Sequence, residues 1–105
     1  MIPRKKLLYV LDPEHPAGCH KARFFKSALG VDASCPERLE ALLREGIATY
    51  PALRRSPDEE GIDRWVVQWP LRARLGSVLL VSAWYRRPDD LVPRLASCYL
   101  KKVKR

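Results

Sequence analysis

Both histidines of the chain, His15 and His20, fall between Leu11 and Phe25, a stretch that also holds Asp12, Glu14, Cys19, Lys21 and Arg23. Histidine exchanges its proton near neutral pH, so an imidazole can act as base or acid under ordinary conditions. Lysine and arginine supply fixed positive charge for an anion that develops during a reaction. Together these types could serve acid–base chemistry on an anionic substrate. Each residue also has a structural reading. His15 lies between prolines and could be a surface turn residue, and His20 could be a helix-start residue packed on Phe24, four positions on. Cys19 beside His20 could be a nucleophile, but no orienting third group is legible.

The elements that must position these groups change in period along the chain. Lys5 to Leu11 reads as a short helix ended by Asp12-Pro13, because a proline disfavours helical geometry in the residue before it. After the loop shaped by Pro13, Pro16 and Gly18, a second helix runs from Cys19 or His20 to about Leu29 and stops at Gly30, with Phe25 and Leu29 on a core face. On that helix His20 and Arg23 share a face, and Lys21 lies about 100° away. Pro36 opens a third helix whose Leu39, Leu42, Leu43 and Ile47 repeat at helical spacing.

Tyr50 to Gly61 reads as a loop, and beyond it the period becomes two. Asp63 to Trp69 alternates as a strand ended by Pro70, Leu71 to Gly76 forms a basic turn, and Ser77 to Arg87 forms a second strand. Leu95 to Val103 forms a third, with Leu95, Ser97 and Tyr99 on one face and Ala96, Cys98 and Leu100 on the other. Helices followed by hairpin-linked strands predict an α+β domain, about three N-terminal helices packed on an antiparallel sheet of three to four strands. The expected organisation is a single domain over 1–105, helical over about 1–50 and sheet over about 62–103.

The strands bring their own candidates. Ser82, Trp84 and Arg86 alternate onto one side and Arg87 onto the other. If that side is open, Trp84 could stack a base and Arg86 hold a phosphate. Trp84 also continues the face of Val78 and Leu80, which favours a core position. Arg94 and Tyr99 are candidates at the sheet edge. Trp65 and Trp69 read as core or as an exposed contact patch.

At 105 residues with a formal net charge of +8, the chain carries a positive field that attracts nucleic acid, acidic membranes or an acidic partner protein, and charge alone does not choose between them. Its 47% hydrophobic and 30% charged residues place it with folded proteins rather than disordered ones. The longest apolar run, Val78 to Val81, is far short of the ~20 residues of a membrane span. No export signal is legible, so the expected location is cytoplasmic. Cys19, Cys35 and Cys98 are widely spaced without a C-x-x-C pair, and no metal site or cofactor is expected.

Two blocks resemble an uncharacterised bacterial domain family. The first is Asp12-Pro13-Glu14-His15-Pro16 and Gly18, then His20-Lys21-Ala22-Arg23-Phe24-Phe25. The second is Val81-Ser82-Ala83-Trp84-Tyr85-Arg86-Arg87, Asp89-Asp90, then Pro93-Arg94-Leu95-Ala96-Ser97-Cys98-Tyr99. Gly61-Ile62-Asp63-Arg64-Trp65 matches a middle block. Val81 and Ala96 depart from the arginine and threonine of the family pattern. Such domains resemble the barnase, EndoU, colicin and RelE group of small ribonuclease toxins. That resemblance implies a metal-free, toxin-type ribonuclease acting on RNA, beside a small antitoxin-like companion protein. In the implied reaction a base takes the proton of a 2'-hydroxyl, cations hold the phosphorane and an acid protonates the leaving oxygen. The residues expected to act are His20, His15 and Lys21 in catalysis, with Arg23, Arg64, Ser82, Trp84, Arg86, Arg87, Arg94 and Tyr99 on the substrate. The alternative is a non-catalytic basic module that binds nucleic acid or an acidic partner protein.

Overall fold

Apolar helix faces and alternating strands can share one core by stacking as two layers, and the chain does so. The computed structural model describes residues 1–14, 19–55, 61–74 and 76–103. Helices α1 (Arg4–Val10), α2 (Cys19–Leu29) and α3 (Pro36–Thr49) precede strands β1 (Leu53–Arg55), β2 (Asp63–Ala73), β3 (Gly76–Arg86) and β4 (Arg94–Lys102). The strands form one antiparallel meander in chain order. No helix among the described residues is long and apolar enough to cross a membrane.

Local chemistry sets the helix limits. Pro36 opens α3, where its missing N–H costs nothing. Gly30, at φ +68°, closes α2 and donates its N–H to the Lys26 carbonyl at 2.9 Å. The helices bury Leu7, Val10, Phe25, Leu39 and Leu43 against Val67, Trp69, Leu80, Trp84, Leu95 and Leu100. Trp69 is core and Trp65 packs partly buried against it, which answers the contact-patch reading.

Three features of the sheet differ from the periodic expectation. The loop over 50–61 contains β1, whose residues are all exposed and so leave no hydrophobic signature. Pro70 does not end β2, which continues to Ala73 opposite Gly76. It is tolerated there because β1 pairs only with 64–66, leaving an edge beyond, where a missing N–H breaks no ladder bond. The expected basic turn thereby shrinks to the two positions between Ala73 and Gly76, and Gly76 takes φ +131°. The third difference is a bulge between β3 and β4. Ala83 faces Ser97 but Trp84 faces Leu95, so Ala96 is the extra residue. The slip reverses the alternation, and Leu95 joins Cys98 and Leu100 in the core instead of sharing a face with Ser97 and Tyr99.

Candidate functional site

The sheet has one face under the helices and one without them. Val78, Leu80, Ser82 and Trp84 on β3 alternate into the core. Their neighbours Ser77, Leu79, Val81, Ala83 and Tyr85 therefore belong to the helix-free face. Cross-strand register extends that face sideways. Arg55 is opposite Arg64, Arg64 is opposite Tyr85, and Tyr85 is opposite Arg94. Three arginines and a tyrosine thus form one row across all four strands, about 15 Å wide at the usual strand spacing.

Contacts around Tyr85 strengthen the row. The Arg87 guanidinium lies 5.5 Å from the Tyr85 ring centroid, leaving it both charged and stacked. The Arg87 amide donates to Asp90 at 3.0 Å, and Arg94 pairs with the same carboxylate at 3.4 Å. Asp90 thereby holds the end of β3 and the start of β4 together. Along the face, Ala83 and Ser97 form a low floor beside the row. Beyond it, Tyr99 is opposite Val81, about 13 Å from Tyr85 along β3.

The helical block reaches this face through one residue. The Lys21 ammonium sits 5.0 Å from the centroid of the Tyr99 ring, which joins the start of α2 to β4. His20 beside it is exposed and has no hydrogen-bond partner or ring contact among the described residues. Its exposure excludes a position buried against Phe24. Arg23 points elsewhere: it lines a cleft of about 250 Å³ with Leu11, Pro13, Lys26, Asp32 and Ser34. His15 lies outside the described residues, as does the side chain of Cys19.

Three of the expected substrate residues lie on the side of the sheet that packs under the helices. Ser82 is fully buried, donating its hydroxyl to the Val67 carbonyl at 2.7 Å and accepting from the Trp84 indole N–H at 2.9 Å. Trp84 is 5% exposed, and the side on which it was to stack a base is the one the helices cover. Arg86, at the end of that side, pairs with Asp63 at 3.0 Å, and Arg54 pairs with the same carboxylate at 2.7 Å. Hydrogen bonds from Arg86 and then Arg54 hold the Asp63 carboxyl below its ordinary range, so it stays charged between them. The exposed face keeps Arg64, Arg87, Arg94, Tyr99 and Lys21. It adds Tyr85 and Arg55, which sequence reasoning missed. The alternation of Val78, Leu80, Ser82 and Trp84 already placed Tyr85 opposite the core.

Cys98 lies on the core side of β4, and burial pushes its thiol up to about 12, with Lys21 opposing weakly. The thiolate is the reactive form. Native protein treated with iodoacetamide at mildly alkaline pH should therefore keep Cys98 unmodified, with labelling only after denaturation. Peptide mass spectrometry reads this out, and rapid labelling of the folded protein would contradict the burial.

A family described as Domain of unknown function (DUF6883) matches residues 1–102. No curated protein and no solved structure matches the chain.

Proposed function

For a chain that belongs to the DUF6883 family, we propose that the helix-free sheet face binds single-stranded RNA and that the protein cleaves it without a metal, as a bacterial toxin-type ribonuclease. The observation that carries this reading is the row Arg55, Arg64, Tyr85 and Arg94 across the sheet. Single-stranded RNA offers unstacked bases to aromatic rings and phosphates to guanidinium groups, and this row supplies both. Tyr99 under Lys21 gives a second aromatic and cation one strand away.

In the proposed reaction the 2'-oxygen forms a bond to the adjacent phosphorus and the bond to the 5'-oxygen breaks. The products are a 2',3'-cyclic phosphate and a free 5'-hydroxyl. His20 takes the 2'-proton while a water molecule protonates the departing 5'-oxygen, and Lys21 beside it balances the charge on the phosphorane. Arg94 and Arg64, about 13 Å along the sheet from Tyr99, hold neighbouring phosphates. A small acidic companion protein that covers the face would hold the activity in check.

A second reading, binding without turnover, is favoured by one observation. His20 has no partner among the described residues to orient its ring, as a general base usually requires. One experiment separates the two. Labelled single-stranded RNA is titrated by anisotropy at several salt concentrations and then incubated and run on a denaturing gel. Tyr85→Ala should weaken binding roughly 5- to 100-fold. Arg94→Ala should make the slope of log K against log salt shallower by about 0.7. His20→Ala should bind normally and leave RNA uncut. Wild-type protein that binds but never cuts supports the second reading, and unchanged binding in Tyr85→Ala and Arg94→Ala rejects the face.

A further inference from the structure

A different part of the molecule gathers arginines around an apolar cleft. Between the end of α2, the start of α3 and the far end of β2 lies a cleft of about 430 Å³. Its apolar wall is formed by Leu29, Val31, Leu42 and Leu71, and its rim by Arg38, Arg72 and Arg74. No carboxylate is among its described lining residues. Arg72 and Arg64 are eight positions apart on β2 and so share its helix-free side, which puts the cleft at the far edge of that face, about 26 Å from the row.

The groups at this cleft are of two kinds. Arg38 donates to the carbonyls of Gly30 at 3.0 Å and Leu29 at 3.5 Å, which fixes its guanidinium against the end of α2. Arg72 and Arg74 have no ion pair among the described residues. The site thus offers guanidinium donors for carboxylates beside helix-end carbonyls, which can still accept from an amide N–H. Nucleic acid phosphates provide only acceptors, and the wall has no aromatic ring on which a base could stack. A peptide carries amide donors, carboxylates and aliphatic side chains together. The neighbouring edge of β2 beyond residue 66 lacks a partner strand among the described residues, but Pro70 has no N–H there and the Arg74 amide already donates to the Ala28 carbonyl at 3.2 Å, so a bound segment is held by side-chain contacts rather than by an added strand.

We infer that this cleft is a docking site for an acidic, aliphatic peptide segment of a partner protein, about 26 Å along the sheet from the arginine and tyrosine row. The shape and charge select the partner: leucine-sized side chains enter the apolar wall, and flanking glutamates or aspartates meet Arg72 and Arg74.

The test uses the full chain, 15N-labelled, titrated with a synthetic peptide of alternating glutamate and leucine. A glutamine-leucine peptide and a single-stranded RNA oligonucleotide are the comparison probes. The acidic peptide should shift the amides of Leu29, Gly30 and residues 71–74 while leaving Tyr85 and Tyr99 unmoved. The glutamine peptide should bind at least several-fold more weakly. The double substitution Arg72→Glu with Arg74→Glu, checked for an unchanged melting temperature, should cost roughly tenfold or more in peptide affinity. Arg64→Glu with Arg94→Glu should not alter it. The inference fails if the acidic peptide moves only the open face or nothing, if the Arg72 and Arg74 double variant binds it as before, or if RNA rather than peptide occupies the cleft. Failure here leaves the RNA reading standing, because that reading is measured at Tyr85 and Arg94.

Discussion

Replacing Gly46 by alanine should destabilise the protein by about 2 kcal/mol or more, lowering the melting temperature by roughly 10 °C. On an exposed helix the same change would stabilise, since alanine exceeds glycine in helix propensity by about 1 kcal/mol. Here a methyl on Gly46 would overlap the six-membered ring of Trp69. The indole has little room to withdraw, because it is 3% exposed and is stacked with Tyr50 at 6.0 Å between centroids. Gly46 therefore sets how closely α3 approaches β2. Thermal unfolding followed by circular dichroism reads the outcome, and combining Gly46→Ala with Trp69→Leu should recover part of the loss by removing the ring. A raised melting temperature in the single variant would show that α3 does not rest on Trp69.

The second large effect is expected at Ser82, and it concerns stability rather than ligand binding. Ser82→Ala strands the Trp84 indole N–H and removes a donor from the Val67 carbonyl, both inside the core. Buried groups left without partners cost about 1–3 kcal/mol each, so a loss of about 2–4 kcal/mol is expected. Trp84→Phe removes the indole donor as well as some apolar area. The double variant should therefore lose less than the sum of the two single losses, by about 1 kcal/mol or more. Urea unfolding of the four proteins gives this coupling directly. If Ser82→Ala were as stable as wild type yet bound RNA poorly, the pair would have to act on a ligand instead of on the fold.

The contrast between Ser82 and Tyr85 shows how far the sequence could be read. Helical spacing at Leu39 and Leu43 and alternation at Trp65, Val67 and Trp69 reported burial, and burial is what those elements share. The α+β order followed from them. Strand β1 escaped because its three exposed residues carry no hydrophobic period. Periodicity puts Leu95 on the opposite face because one extra residue at Ala96 inverts the alternation, and a bulge leaves no local mark in composition. The site was half legible for a related reason. Arginine-rich segments could be found, but which of Trp84 and Tyr85 is open depends on the side the helices choose. Ser82 and Trp84 had the types expected of a substrate surface, and the core took them.

The order of elements also governs when the molecule can exist during its own synthesis. Leu7, Phe25 and Leu43 belong to the first half of the chain, but the sheet residues that cover them extend to Leu100. Helices α1 and α2, of 7 and 11 residues, are too short to persist alone in water. At about 5–20 residues per second, translation from Thr49 to Leu100 takes roughly 3–10 s, during which those apolar faces have nothing to close against. The carbonyl of Met1 accepts from the Leu95 amide at 2.9 Å, so the first residue is also held by the last strand. Folding is consequently deferred until β4 has been made, and the four-stranded sheet stays incomplete until then.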